Sequence, residues 1–252
     1  MKKASDPRQL PDLVEQALRD AIGRISGKRR AVMFSGGFDS MLIAVLAERC
    51  GAKVTAVTIR FEDFNPLTVA ASVVSARQLG LKHLVLDVSC AEFLSAFDKL
   101  PGVTHESVTD LDLAVVFAAL KKYDRKKAGD VLVSGMGCDQ WFGNEALKVR
   151  SADRDEFLKK MKRDLKAHQR AAGAYGLEFH FPFLSASMLS LAQTIPASMK
   201  KDKKLLRGID LARQIPHSGR TNEIQVPVLI RSILAKTYKA KDKCLTSHRN
   251  YL

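Results

Sequence analysis

Hydrophobic and polar residues follow two different spacings along the first 140 residues. Apolar residues recur every three or four positions from 13 to 25, after Pro11 and Asp12, which is typical of the start of an amphipathic helix. Four short apolar runs have the length of buried strands, and they lie at 30–35, 53–61, 83–89 and 130–135. Helical spacing returns between these runs, at about 39–50, 65–80 and 109–123. Strands and helices in alternation predict βαβ units and therefore a parallel sheet.

The predicted helix at 65–80 carries signals at both of its ends. Asn65 precedes a proline and is a typical N-cap residue, because its side-chain oxygen can accept from the free backbone N–H groups of the first turn. Gly80 suits the left-handed conformation that often follows the last turn. We therefore expect a well-bounded helix between the second and third strands.

The strand pattern stops at about residue 140. Only helical spacing follows from 153 to 240, in segments at 153–172, 186–195, 204–215 and 226–238. We therefore predict an α/β fold, with a parallel, Rossmann-like sheet, helices on both of its faces and a C-terminal helical segment. The expected divisions are an N-terminal helix (1–28), the α/β core (29–150), a helical C-terminal part of the same domain (151–240) and a polar tail (241–252).

Composition is that of a folded protein outside the membrane. The 252 residues are 46% hydrophobic and 27% charged, which is ordinary for a globular domain. No apolar stretch reaches the roughly 18–20 residues that a membrane helix needs. The start, MKKASDPRQLPDL, has no apolar signal core, so we expect a cytoplasmic location and no membrane partner. The four cysteines form no CxxC pair, which argues against structural zinc and a disulfide framework; they are Cys50, Cys90, Cys138 and Cys244.

The net charge of +14 needs a physical explanation. Much of the excess lies in three basic stretches, at 121–127, 148–170 and 200–207. Such helices would attract a polyanion such as RNA. The alternative is that they are solvated helix faces, with some cations close to a polyphosphate site. No aromatic residues are interleaved with the basic ones as in known recognition modules, so the charge alone does not establish RNA as a partner.

A serine and two glycines end the first strand, in the stretch SGGFDS at 35–40. Glycines permit a tight turn with converging backbone N–H groups, and the N-terminus of the following helix adds positive partial charge. Phosphate is the natural ligand of such a turn. Asp39 would repel phosphate unless Mg²⁺ lay between them, and Ser40 could donate to a phosphate oxygen. The alternative is an ordinary turn in which Asp39 is a cap residue.

Four motifs carry a resemblance to a known family. The chain has neither GxxxxGK[ST] nor GxGxxG, and SGGFDS instead resembles the PP-loop of the ATP pyrophosphatases. VLVSGMGCDQWFGNE (131–145) resembles LSGEGxDExFGGY of the asparagine synthetases, GLEFHFPFLS (176–185) resembles their GxExRxPFLD, and KKLLR (203–207) matches their KxxLR. The order also agrees. The chain therefore resembles an asparagine synthetase-like synthetase domain of the PP-loop superfamily.

The resemblance implies an ATP-dependent amide ligase that uses Mg²⁺. A substrate carboxylate would attack the α-phosphorus of ATP, and ammonia or an amine would then displace AMP. In such a reaction Ser35, Gly36, Gly37, Asp39 and Ser40 would hold the pyrophosphate. Asp139 would join Asp39 in binding Mg²⁺, and Lys203 would neutralise charge on the α-phosphate, with Lys204 as the alternative if the register differs by one. Four residues fall where the family's backbone meets adenosine: Phe34, Ile59, Ser134 and Gly135.

Four residues depart from the family motifs. Met136 stands where the family has the glutamate that assists the incoming nitrogen, and Gln140 replaces the second acid of the DE pair, which leaves one fewer negative charge at the metal. A thioether neither accepts a proton nor pairs with an ammonium, so plain aspartate-to-asparagine conversion is disfavoured. Met136 could instead be a packing residue. In the third motif His180 and Ser185 replace Arg and Asp, as a compensated loss of one pairing.

The N-terminal glutaminase domain of glutamine-using relatives is expected to be missing, because only residues 1–34 precede the PP-loop. Nitrogen would then come from ammonia, an amine or a separate glutaminase subunit. Two alternatives remain: an enzyme that adenylates a tRNA base or a tRNA-linked group, and a non-catalytic ATP- or AMP-binding regulator. The lack of paired cysteines disfavours a tRNA thiolase. The sequence does not indicate an oligomeric state.

Overall fold

Five parallel strands form the centre of the protein. The computed structural model describes residues 9–27, 29–62, 65–105, 111–147 and 154–215. The strands are β1 (Arg29–Met33), β2 (Lys53–Phe61), β3 (Lys82–Val88), β4 (Val131–Ser134) and β5 (Glu178–His180). Their order in the sheet is β3-β2-β1-β4-β5, and every neighbouring pair is parallel. The predicted α/β class with a parallel sheet is therefore confirmed.

Helices pack around this sheet. In the described part of the chain they are α1 (Leu10–Gly23), α2 (Phe38–Arg49), α3 (Pro66–Gln78), α4 (Cys90–Thr104), α5 (Leu111–Leu120), α6 (Arg125–Ala128), α7 (Cys138–Phe142), α8 (Arg154–Gly173), α9 (Ala186–Thr194), α10 (Ala197–Lys200) and α11 (Lys204–Arg207). Short 3₁₀ turns lie at Asn144–Leu147, Pro182–Leu184, Lys201–Lys203 and Asp210–Gln214. No helix within the described ranges combines the length and the apolarity needed to cross a bilayer.

Helix α2 is buried on all sides. Every residue from 41 to 47 is buried, because α2 packs on β1, β2 and β4 and is covered by α1. A helix in this position needs apolar residues around its whole circumference, which explains the continuous apolar run MLIAVLA. The N-terminus of α2 is thereby fixed at the end of the central strand β1.

Strand β5 was not anticipated, since only helical spacing was expected beyond residue 140. It has three residues and pairs with β4 through Val131↔Glu178, Leu132↔Phe179 and Val133↔His180. So short a segment shows no periodicity of its own. Its place is decided by the neighbouring strand and by α8, which packs against it. The expectation of a purely helical C-terminal part was wrong at this point.

Other differences concern helix boundaries. Helix α4 was not singled out by the pattern, and the helix expected at 109–123 spans Leu111–Leu120. The predicted helix at 204–215 is interrupted at Gly208 and Ile209, so that α11 and a 3₁₀ turn replace it. The helix expected at 226–238 and the tail at 241–252 lie outside the described residues.

The two predicted ends of the third helix have different outcomes. Gly80 has φ of +67°, and the Leu81 N–H donates to the Ala76 carbonyl at 2.9 Å, as expected of a left-handed C-terminal cap. Asn65 occupies the N-cap position of α3, but its side chain does not cap the helix. It binds the end of β2 instead, accepting from the Phe61 N–H at 3.0 Å and donating to the Ile59 carbonyl at 2.9 Å.

A buried arginine joins α1 to the sheet. Arg30 in β1 is 5% exposed. Its guanidinium donates to the carbonyls of Ile22 at 3.0 Å, Ile25 at 2.7 Å and Gly27 at 3.2 Å. These carbonyls lie at or just after the C-terminus of α1, where backbone acceptors have no partner in the helix. Arg30 therefore satisfies the end of α1 and fixes it to the central strand.

We predict that Arg30→Met lowers the free energy of unfolding by about 2–4 kcal/mol, because buried carbonyls lose charged donors. Urea unfolding followed by circular dichroism measures the change. Arg24→Met is the matched control, since Arg24 is exposed at the same helix end, and it should change stability by less than about 0.5 kcal/mol. Equal losses in the two variants would show that Arg30 does not act as a buried cap.

Candidate active site

A cavity of about 410 Å³ opens at the carboxyl ends of the central strands. Residues 29–88 build the sheet from β1 outward to β3, whereas β4 and β5 are added on the other side of β1. The strand order thus reverses between β1 and β4, which is where open α/β sheets bind ligands. The cavity is lined by Met33, Phe34, Ser35, Asp39, Ser40, Val57, Thr58, Ile59, Thr68, Ser134, Gly135, Met136, Gly137, Asp139 and Gln140.

Gly36 is required by the packing of α3 on the glycine turn. It has φ of +73°, and a Cβ atom there would lie 2.7 Å from the Ala71 carbonyl carbon and 2.7 Å from the Ser72 nitrogen. The Ser75 hydroxyl also donates to the Gly36 carbonyl, at 3.4 Å. The first glycine therefore lets the backbone of α3 approach the turn, a role beyond that of making room for phosphate.

Hydrogen bonds within the turn hold its shape. The Gly37 N–H donates to Ser35 Oγ at 3.2 Å, and Ser40 Oγ donates to the Gly37 carbonyl at 2.9 Å. The Ser35 N–H donates to Ser40 Oγ at 3.3 Å. Ser40 is buried, so its hydroxyl braces the turn. Gly37 is the N-cap of α2, which directs the positive end of that helix into the cavity.

One wall of the cavity is formed where β1 ends beside β2. The Phe34 N–H donates to the Val57 carbonyl at 2.7 Å, and Thr58 Oγ1 donates to the Phe34 carbonyl at 2.5 Å. His83 Nε2 lies 2.8 Å from Thr58 Oγ1, and it must be the donor because the hydroxyl proton is already used. Burial lowers the pKa of His83, which favours the neutral imidazole with its proton on Nε2. Thr58 and His83 were missed by sequence reasoning, because neither belongs to a motif.

The charged centre brings together three distant segments of the chain. Lys203 Nζ donates to both carboxylate oxygens of Asp39, at 2.7 Å each, and lies 3.7 Å from Asp139 Oδ1. Cys138 Sγ, in a side chain that is 1% exposed, donates to Asp39 Oδ1 at 3.1 Å. The family resemblance groups Asp39, Asp139 and Lys203, and the structure places the Lys203 amine within 4 Å of both carboxylates. The role of Lys203 at an α-phosphate stays a prediction.

The charges of these groups depend on one another. Burial by itself would lower the pKa of Lys203, but the negative charges of Asp39 and Asp139 and the hydrogen bond to Asp39 outweigh it, and the pKa lies above its ordinary value. The amine is therefore an ammonium at neutral pH. Burial raises the pKa of the Cys138 thiol well above its usual range, and the adjacent Asp39 carboxylate raises it further. Cys138 consequently stays protonated as a donor.

Two carboxylates next to a phosphate-type turn suit one hard dication. In the described part of the chain, no three His, Cys, Asp or Glu side chains lie close enough together to hold a metal by themselves. Mg²⁺, however, usually takes one or two protein carboxylates and completes its shell with water and substrate phosphates. The donor set of Asp39 and Asp139 fits such a shared ion. Lys203 occupies the space at Asp39 in this structure.

Close backbone approach explains the glycines of the second motif. A Cβ atom on Gly135 would lie 3.1 Å from Asp39 Cβ, and one on Gly143 would lie 2.0 Å from Asp139 Oδ1. Gly137, with φ of +92°, would place its Cβ 2.3 Å from a methyl carbon of Leu184. Leu184 belongs to the third motif, so that motif packs directly on the turn that carries Asp139. The two glycines beside the carboxylates leave room for both acids.

The residues that depart from the family motifs divide into two groups. Met136 and Gln140 both line the cavity, so a thioether and an amide face the space where the family has acids. His180 and Ser185 do not act as a substitute pair. His180 Nε2 lies 3.0 Å from Glu178 Oε2, and Ser185 Oγ accepts from the Met188 N–H at 3.4 Å to cap α9. His180 and Ser185 therefore have separate partners.

Comparison with known proteins agrees with this geometry. The family described as asparagine synthase matches residues 10–159, which include the glycine turn, the cavity and the Asp139 loop. The chain belongs to the asparagine synthase family. The match begins at α1, so this helix is part of the family's common region.

Curated relatives extend the match. A putative glutamine-hydrolyzing asparagine synthetase of Mycobacterium tuberculosis (strain ATCC 25618 / H37Rv) is 32% identical over 124 residues, 47% of this chain and 19% of that protein. The glutamine-hydrolyzing asparagine synthetase of Asparagus officinalis is 24% identical over 221 residues, 79% of this chain and 37% of that protein. The chain therefore spans less than half the length of these relatives.

Solved structures show more remote similarity. The U34-tRNA thiolase NcsA of Methanococcus maripaludis is 16% identical with a TM-score of 0.45, covering 97% of this chain and 79% of that chain. The NMN synthetase of Francisella tularensis is 12% identical with a TM-score of 0.43, covering 97% of this chain and 94% of that chain. Both resemble this member of the asparagine synthase family only distantly.

We predict that Gly36→Ala lowers the free energy of unfolding by about 2–4 kcal/mol, because the new Cβ meets rigid helix backbone at a positive φ. Chemical unfolding without any nucleotide measures this. Gly23→Ala is the control: nothing lies within 4 Å of a Cβ at Gly23, and the change should be neutral or stabilising. A Gly36→Ala protein as stable as the wild type would mean that this glycine is needed only for ligand binding.

Proposed function

We propose that this protein is an ATP-dependent ligase that forms AMP and pyrophosphate and makes an amide bond. The observation that carries the proposal is the convergence of Asp39, Asp139 and Lys203 beside the glycine turn, at 2.7 and 3.7 Å from the Lys203 amine. Binding a nucleotide does not by itself require two carboxylates and a half-buried ammonium at one point. Membership of the asparagine synthase family supports the same reaction type.

In the first proposed step, a substrate carboxylate oxygen bonds to the α-phosphorus of ATP and the bond to pyrophosphate breaks. The N-terminus of α2 and the turn at Ser35, Gly36 and Gly37 would hold the departing pyrophosphate. Asp39 and Asp139 would bind Mg²⁺, which when bound neutralises phosphate charge. Lys203 would stabilise the charge that develops around the α-phosphate, usually the largest catalytic contribution of such a site.

Adenosine is expected in the part of the cavity formed by the ends of β1, β2 and β4. Phe34, Ile59, Ser134 and Gly135 form this region. The side-chain bonds from Thr58 to Phe34 and from Asn65 to Ile59 keep the strand ends in place. A rigid backbone edge of this kind can bind a purine without the entropy cost of ordering flexible side chains.

In the second proposed step, the nitrogen of ammonia or of an amine attacks the acyl carbon, AMP leaves, and the nitrogen loses a proton. Met136 offers no acid or base for that proton at the cavity wall. The proton would therefore pass to solvent or to a group of the substrate. The acceptor is expected to arrive neutral, either as an amine or as ammonia, which could be free or released by a separate glutaminase subunit.

A second candidate is adenylation of a tRNA base or of a tRNA-linked group. The observation that favours it is an exposed row of cations on α8, formed by Lys159, Lys160, Lys162, Arg163 and Lys166. Phosphate backbones bind such rows with an affinity that falls steeply as salt rises. The same cations would also suit a solvated helix face, so a measurement of the reaction is needed to distinguish the two candidate functions.

We predict that the purified protein exchanges pyrophosphate into ATP with at least one carboxylate of a broad panel, and that Asp39→Asn reduces this exchange at least about 100-fold by weakening the metal site. Radiolabelled pyrophosphate incorporated into ATP is the measurement. Asp210→Asn is the control, since Asp210 is an exposed aspartate that does not line the cavity, and it should retain wild-type exchange.

The panel also separates the candidates. Exchange with a small acid supports the amide ligase, and exchange only with bulk tRNA supports the second candidate. Binding of ATP without exchange on any substrate would leave a regulator that binds ATP or AMP. Normal exchange in Asp39→Asn would contradict the assignment of the glycine turn and its carboxylate.

We predict that Met136→Glu introduces or increases ammonia-dependent amide formation from aspartate, because it restores an acid at the wall where nitrogen arrives. Asparagine quantified by mass spectrometry is the measurement. Met136→Gln, which has a similar size but no charge, is the matched control and should not have this effect. If neither variant forms asparagine, Met136 is not what separates this protein from its relatives.

A further inference from the structure

The segment that carries Lys203 has an unusual backbone. Asp202 and Lys203 both lie in the left-handed region, with φ of +53° and +56°. This conformation is unfavourable for residues with a Cβ atom, and two in succession persist only where surrounding contacts hold them. Asn144 and Arg207 supply such contacts to this segment.

Asn144 holds Asp202 through two hydrogen bonds. Its Oδ1 accepts from the Asp202 N–H at 2.8 Å, and its Nδ2 donates to Asp202 Oδ1 at 3.0 Å. Asn144 begins the 3₁₀ turn that follows α7, five positions after Asp139. The loop that carries the second carboxylate is thus bonded to the segment that carries the lysine.

Arg207 joins the same segment to the glycine turn. Its Nε donates to the Asp202 carbonyl at 3.2 Å, and its guanidinium lies 4.7 Å from the centre of the Phe38 ring. Phe38 is the first residue of α2 and immediately precedes Asp39. A guanidinium over an aromatic ring is attracted by the ring quadrupole, an interaction that an ammonium does not reproduce with the same planar contact.

We propose that Asn144, Asp202, Arg207 and Phe38 form a positioning clamp that sets where the Lys203 amine lies relative to Asp39 and Asp139. On one side of the clamp, Asn144 belongs to the loop that follows Asp139. On the other side, Phe38 directly precedes Asp39. Without the clamp, the backbone at Lys203 would not be held in one position. The long side chain would then place its amine at the reacting phosphate in only a fraction of molecules. The inference rests on the proposed function, since the clamp acts on catalysis only through Lys203.

The first experiment is a double-mutant cycle on pyrophosphate exchange. Asn144→Ala and Arg207→Lys are each expected to lower kcat about 10- to 100-fold, while KM for ATP changes less than about 3-fold, because misplacement of a catalytic group costs rate more than binding. Gln16→Ala and Arg213→Lys are the matched controls on exposed positions and should behave as the wild type.

The same two substitutions are then made in a Lys203→Met background. If the clamp acts through the lysine, Asn144→Ala causes no further loss there. An equal fold-loss in both backgrounds, or no loss in the wild-type background, would overturn the proposal. If Asn144→Ala fails to fold, Arg207→Lys carries the cycle, and thermal melting reports which variants are folded.

The second experiment does not depend on the proposed reaction. Acetic anhydride labels lysine amines, and mass spectrometry gives the labelling rate of Lys203 relative to the exposed neighbour Lys204. Asn144→Ala should raise this ratio at least about threefold, because Lys203 is released from its bonds with Asp39. An unchanged ratio would overturn the clamp even if exchange is normal, whereas a raised ratio with no exchange in the wild type would contradict only the proposed function.

Discussion

The bonds between Lys203 and Asp39 are the interaction on which the rest of the site depends. An aspartate at the N-terminus of a buried helix needs a partner, because a half-buried carboxylate without one loses its hydration and gains nothing in return. Lys203 lies 164 positions away in the sequence and supplies two bonds of 2.7 Å. Cys138 supplies a third hydrogen bond from a thiol that burial keeps protonated. The folded chain must therefore bring the ends of β1 and β4 and the start of α11 to one point.

The order of the sheet makes this meeting geometrically easy. Strand β1 lies between β2 and β4, so the turn after β1 and the turn after β4 open at the same edge. Glycines allow these turns to approach more closely than residues with a Cβ would, as the 3.1 Å distance from a Cβ at Gly135 to Asp39 Cβ shows. Leu184 then packs over Gly137 and holds the Asp139 loop from outside. Each of the motifs is in this way a packing constraint as well as a set of polar groups.

Two of the four departures from the family pattern, Met136 and Gln140, line the cavity, whereas His180 and Ser185 have partners outside it. In the proposed function, the turn, both carboxylates and the lysine would serve the activation of a carboxylate, Met136 would lie where the acceptor enters, and Gln140 would leave one fewer negative charge at the metal. An apolar thioether in that place lowers the affinity for a charged ammonium and favours a neutral nucleophile. The proposed function accounts for this division as adenylation with a changed acyl acceptor.

Local patterns in the sequence determined the parallel sheet, four of its five strands and the glycine turn, because strand length, helical spacing and turn residues are all read from neighbouring positions. The grouping of Asp39, Asp139 and Lys203 came from the resemblance of separate motifs to those of one family. Tertiary structure alone decided the remainder. Strand β5 is too short to show a period and forms only because β4 offers it a partner. The Asn65 side chain binds backbone groups at the end of β2 and does not cap α3 as expected, because those groups lie within hydrogen-bond distance. The contacts of Thr58 with His83, of Arg30 with the end of α1, and of Asn144 with Asp202 join residues of no common motif, and only the folded chain places such residues side by side.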